Sequence, residues 1–115
     1  MNLIKEKSFA FALDVVVCYK KLHSTKKEYV MSKQLLRSGT AIGALYREAE
    51  HAESKTDFIH KMALAQKEAN ETLYWIDLLN CSEFLTSNEN ENLKTEIISL
   101  RKLISSIILT SKSKL

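Results

Sequence analysis

At 115 residues and 13.2 kDa the chain has room for one domain and not for two of ordinary size. Its hydrophobic share of 45% and charged share of 27% exclude an unfolded polar tail, and a net charge of +3 excludes a dedicated polybasic nucleic-acid arm. With no proline and only two glycines there is little to interrupt long helices.

The opening residues MNLIKEKS carry charge on both sides of a short apolar pair and do not read as a signal peptide. The first helix is predicted over Ser8–His23. Phe9, Leu13 and Val16 form one apolar stripe, and Phe11, Val15, Cys18 and Leu22 form another. At about 100° per residue the two stripes lie on opposite sides of the helix, so it must be covered twice. That predicts self-association.

The second helix is predicted over Glu28–Ala52. Leu35, Ser38, Ile42, Leu45, Ala49 and Ala52 alternate at three- and four-residue steps. Gly39 and Gly43 sit one turn apart inside it. Each costs about 1 kcal/mol relative to alanine in a helix interior, so a closely packed neighbouring helix is expected to compensate. The third helix is predicted to begin at Ser54, where Asp57 three residues on makes an acidic variant of the capping box. Phe58, Met62, Ala65, Ala69, Thr72, Ile76 and Leu79 then form its core stripe, with Leu64, Glu68, Glu71, Trp75 and Leu78 beside it. The fourth helix follows Thr86, with Glu89 placed to close a capping box. Its stripe is Leu93, Ile97, Leu100, Ile104 and Ile107, and its Lys112–Lys114 tail is expected to fray.

A repeat of 3.5 residues in several helices favours shallow crossing angles, and short connections make neighbours antiparallel. The fold class expected is therefore all-α, an antiparallel up-down-up-down four-helix bundle spanning 1–115. Apolar runs such as Phe9–Leu13 and Ile107–Leu109 are too short to cross a bilayer, so no membrane association is expected. Cys18 and Cys81 form neither a disulfide framework nor a metal set, and both are read as small buried hydrophobes. A cytoplasmic location follows.

The segments SGTAIGA, YREAEHAESKTDFIHKM and KEANETLYWIDLL, with Lys33–Arg37 before them, occur here in one continuous order. In these segments the chain resembles the four-helix-bundle protein family encoded in intervening sequences of 23S rRNA genes. The resemblance covers well over a third of the chain and rests on length and joint order, since no piece is a catalytic motif. It implies a cytosolic bundle assembling as a homopentamer, and some members bear a misleading ribosomal-protein name. A related protein is the accessory of the reverse transcriptase of diversity-generating retroelements, where a basic pentameric barrel binds nucleic acid and the polymerase. The resemblance thus implies self-association, with RNA or DNA and a reverse transcriptase or other nucleic-acid enzyme as further partners.

Among chemistry-bearing groups, Lys20, Lys21, Lys26 and Lys27 bracket the first inter-helix turn, with Lys33 and Arg37 close behind. Antiparallel packing places them at one end of the bundle as candidate nucleic-acid contacts, diluted by Glu83, Glu89 and Glu91 at the same end. In a ring of copies the field would add up, and phosphate backbones respond to summed charge without a base-reading motif. Only Tyr19 and Tyr29 interleave with the lysines, which argues against a base-stacking platform. Gly39, Gly43, Glu48, Glu68, Glu71 and Trp75 are candidate packing or interface positions, the carboxylates pairing with Arg37, Arg47 or Lys61. Glu48-x-x-His51 and Asp57-x-x-His60 imitate a ferritin-like di-iron pattern. Asp57 lies in a first helical turn, however, and only Asp14 and Glu96 are available on the other two helices, so no metal or cofactor is expected. His23, His51 and His60 are read as surface residues, and no nucleophile arrangement supports an enzyme. The reading is a non-enzymatic accessory oligomer that binds nucleic acid or a nucleic-acid enzyme. The alternatives are a purely structural or protein-binding scaffold and, third, a metal-binding bundle.

Overall fold

The computed structural model describes residues 2–115, and among them it forms four α-helices: α1 (Leu3–Ser24), α2 (Met31–Ala49), α3 (Lys55–Cys81) and α4 (Ser87–Ser113). Each helix packs on the next, and α4 returns to α1. The loops are short, so direction alternates and the arrangement is the expected four-helix bundle. Its longest dimension, 47 Å, is close to the length of α3 and α4.

The helix starts explain themselves locally. Helix α1 begins at Leu3 rather than at Ser8, capped by Asn2, whose side chain accepts the Lys5 N–H at 3.1 Å and donates to the Tyr46 hydroxyl at 2.7 Å. Ser8 has the chemistry of a cap but lies inside the helix, buried and donating to the Lys5 carbonyl. Glu28 does not begin α2 as expected; it caps it from outside. Its carboxylate accepts the N–H groups of Val30 and Met31 at 3.0 Å and of Ser32 at 2.6 Å. Ser54 caps α3 through the Asp57 N–H, while Asp57 reaches back to Glu53 N at 3.2 Å. Thr86 and Glu89 close a full capping box on α4, and the helix continues through Ser113 rather than ending before the lysine tail.

The core is built from the predicted stripes. Phe11, Val15 and Leu22, Leu35 and Ile42, Met62, Ile76 and Leu79, and Ile97, Leu100 and Ile104 are all essentially inaccessible. Each such side chain contributes about 1.5–3 kcal/mol through burial. The last buried position of α4 is Ile108; Ile107 is only partly covered, because a true helix drifts away from a strict 3.5 repeat. Ser38 and Thr72 sit within this core, and a chain from Thr72 Oγ1 through Ser38 Oγ to the Gln34 carbonyl satisfies both hydroxyls. Cys18 is buried, and burial, helped by Glu89, pushes its thiol up to about 11 against the lowering effect of Lys21. Cys81 is exposed, contrary to expectation: it is the last residue of α3 and falls off the Ile76–Leu79 stripe.

The two glycines lie at the α1–α2 seam. A Cβ on Gly39 would stand 2.9 Å from Val15 Cγ2, and one on Gly43 would stand 3.2 Å from Ser8 Oγ. The close approach removes the space that any larger residue needs.

Candidate nucleic-acid interface

The last turn of α1, the loop to α2 and the first turn of α2 form one end of the bundle. Lys20, Lys26, Lys27 and Lys33 are all exposed there, and none has an ion-pair partner among the described residues. The loop carrying them is fixed by its backbone. Thr25 N–H donates to the Lys21 carbonyl, Glu28 N–H donates to the Leu22 carbonyl at 3.0 Å, and Lys27 adopts a left-handed conformation with φ 57°. Glu28 itself is almost fully buried. Burial acts to raise its carboxyl, but the three backbone N–H bonds outweigh it and hold the group below the usual carboxylate range. These same N–H groups are the ones a phosphate would use at a helix N-terminus. Glu28 already occupies them, so an anion at this end must be met by the lysine side chains.

Two of the six candidate cations are matched internally. Lys21 pairs with Glu89 at 2.7 Å, which ties α1 to α4. Arg37 turns toward α3, reaching Glu68 at 3.2 Å and Glu71. Glu71 also accepts the Trp75 indole N–H at 3.0 Å; that bond first, and Arg37 second, hold its carboxyl below the ordinary value. Glu48 pairs with Lys61, and Arg47 lies over the Phe9 ring at 5.6 Å. Thus Glu48, Glu68, Glu71 and the partly buried Trp75 join α2 to α3 or brace α3 within a single chain, whereas Gly39 and Gly43 join α2 to α1. Glu83 and Glu91 are exposed at the lysine end.

The fold also gathers groups that spacing alone did not assemble. His23 stands between Tyr19 and Tyr29, with ring centroids 5.7 Å and 4.7 Å away. The step from Tyr19 to His23 is one helical turn and legible in the sequence; Tyr29 joins them only because the loop folds back. On the flank of α1, Phe9 and Leu13 are each 53% exposed and Val17 is 67% exposed. Beside them runs a groove along the α1–α4 seam, of about 190 Å³, lined by Asp14, Val17, Cys18, Leu93 and Glu96. Asp14 and Glu96 face each other across it. Burial first, and then Asp14, push the Glu96 carboxyl up to about 7. No group of three or more metal-ligating side chains occurs among the described residues, and none of their helices is long and apolar enough to cross a membrane.

The model of the family described as 23S rRNA-intervening sequence protein matches residues 2–106, which include all of the lysine end and the core stripes up to Ile104. The chain belongs to this family. A crystal structure of a protein of unknown function from the S23 ribosomal protein family of Bacteroides thetaiotaomicron superposes with a TM-score of 0.90 at 50% identity. The match covers 91% of this chain and 97% of that one. No curated protein matches. As a 23S rRNA-intervening sequence protein, the chain joins a family whose description names no reaction, so function must be argued from the surface.

Proposed function

We propose that this protein is a cytoplasmic, non-enzymatic homo-oligomer, a pentamer, that binds nucleic acid through the lysine end of its bundle and serves as an accessory to a nucleic-acid enzyme. The observation that carries the nucleic-acid reading is the set of four exposed lysines, without ion-pair partners among the described residues, on one internally braced loop and its flanking turns. Because the backbone that carries them is already fixed, only the lysine side chains, and not the loop, need ordering on meeting a phosphate chain. The oligomer is supported by Phe9, Leu13 and Val17, which leave an apolar strip along α1 with no cover in the single chain. Repetition around a ring multiplies a modest charge into a field that a polyanion responds to.

The competing reading is a protein scaffold, and it draws on the same apolar strip. The test is a low-salt gel shift with RNA and with duplex DNA, run beside a light-scattering mass. The proposal expects retention of nucleic acid and a mass near that of five chains. A monomer at micromolar concentration contradicts the assembly, and an oligomer that retains neither nucleic acid leaves the scaffold reading in its place.

A further inference from the structure

The sequence argues against a base-stacking platform here, because only Tyr19 and Tyr29 interleave with the lysines; the fold adds His23 between them. We propose that the ring ladder Tyr19–His23–Tyr29 is such a platform, and that the nucleic acid this end accepts is single-stranded. The inference rests on the lysine end being a nucleic-acid surface, and it specifies which form binds. Tyr19 and His23 are one turn apart on α1, with centroids 5.7 Å apart and planes inclined by 40°. Tyr29 and His23 make a T-shaped contact at 4.7 Å, with an interplanar angle of 67°. Such a contact leaves a tyrosine face free, and Tyr29 is 50% exposed, with Val30 at 74% exposure beside it. His23 is exposed as well.

Lysines flank the ladder along the chain. Lys20 follows Tyr19 directly, Lys26 and Lys27 lie between His23 and Tyr29 in the chain, and Lys33 is four residues beyond Tyr29. All four are exposed without ion-pair partners among the described residues. Aromatic faces set among unpaired cations form the arrangement that holds a single strand: phosphates meet the lysines while unstacked bases lie on the rings. A duplex keeps its base faces stacked inside and offers the ladder nothing beyond phosphate charge. The ladder is held in place from both sides, by the α1 helix under Tyr19 and His23 and by the Glu28 cap immediately before Tyr29.

The test is fluorescence anisotropy with a labelled oligouridylate, free and annealed to oligoadenylate. Wild type should bind the free strand more tightly than the duplex. Tyr29→Leu should lose about tenfold on the single strand, within the range expected for one base–aromatic stack, and change little on the duplex. Tyr29→Phe keeps the ring and should keep the affinity. Helix content should be unchanged, because Tyr29 lies outside the helices. The dependence on salt should also be unchanged in Tyr29→Leu, since no charge is removed. Equal binding of both probes by wild type, untouched by Tyr29→Leu, overturns the platform and leaves the lysine surface standing. Failure to bind either probe overturns the lysine surface and the platform with it.

Discussion

Lys21 and Glu89 meet at 2.7 Å across the α1–α4 seam, so one of the lysines at the bundle end is already neutralised by the carboxylate of the α4 capping box. Burial acts to raise Glu89, but Lys21 and Thr86 outweigh it and keep its carboxyl below the ordinary range. Lys20, Lys26, Lys27 and Lys33 have no such partner among the described residues. The positive face of the bundle is therefore smaller than the sequence implies, and it is centred on the loop.

That difference predicts an order of effects. Lys21→Gln should weaken nucleic-acid binding less than Lys26→Gln, because the charge it removes is already compensated. Glu89→Gln keeps an oxygen to accept the Thr86 N–H yet frees Lys21, and should strengthen binding. Neither change should move stability by more than about 1 kcal/mol, the usual limit for an exposed pair. Anisotropy titrations at one fixed salt concentration check this; a larger loss for Lys21→Gln than for Lys26→Gln would refute the assignment.

The α1–α2 seam predicts a cost for adding a single methyl group. Alanine should favour the helix by about 1 kcal/mol over glycine. At Gly39 its Cβ would press on Val15, a β-branched side chain with little rotameric freedom. Gly39→Ala should then be destabilising by about 1–2 kcal/mol, as overpacked cores are. Gly43→Ala meets Ser8, tightly only at its hydroxyl (3.2 Å) and at ordinary contact distance at its Cβ and backbone carbon, and should cost less. Urea midpoints decide the point, and Val15→Ala should relieve the Gly39→Ala defect in the double variant. A more stable Gly39→Ala protein would mean that the seam has room.

How far the sequence carried can be judged from these residues. The α3 stripe from Met62 to Leu79 was readable because a heptad pattern reflects one buried face. The glycine pair was readable because bare backbone inside a helix needs compensation. Asn2 and Glu28 were not, since their capping depends on where the chain turns. Tyr29 is next to His23 through a loop with a left-handed residue at Lys27, and no periodicity encodes that. Val17 falls outside both apolar stripes assigned to α1, so its exposure emerged only once the helix was oriented.

The Asp14–Glu96 pair predicts a pH dependence. The folded-state Glu96 carboxyl is raised from an ordinary 4.5 to about 7, by burial and then by Asp14, with Lys7 opposing. The folded protein therefore binds more protons than the unfolded chain between those values, and stability falls as pH rises through this window. Glu96→Gln removes the titrating group. The urea midpoint of wild type should drop between pH 4.5 and 7 relative to that of Glu96→Gln, and above pH 7 the variant should be the more stable protein. Parallel curves for the two would show that Glu96 is not held in this way.

The most direct test of the nucleic-acid reading is the salt dependence of binding. Equilibrium affinity for a single-stranded oligonucleotide should be measured against salt for wild type and for the variant with Lys20, Lys26, Lys27 and Lys33 changed to glutamine. The wild-type affinity should fall linearly with salt on logarithmic axes, and the slope of the variant should be shallower by about 0.7 for each phosphate no longer neutralised on a single strand. Changing Lys112 and Lys114, at the opposite end of the bundle, should leave the slope close to that of wild type. Identical slopes for wild type and the four-lysine variant, or no binding at low salt, would contradict the assignment of this end as a nucleic-acid surface.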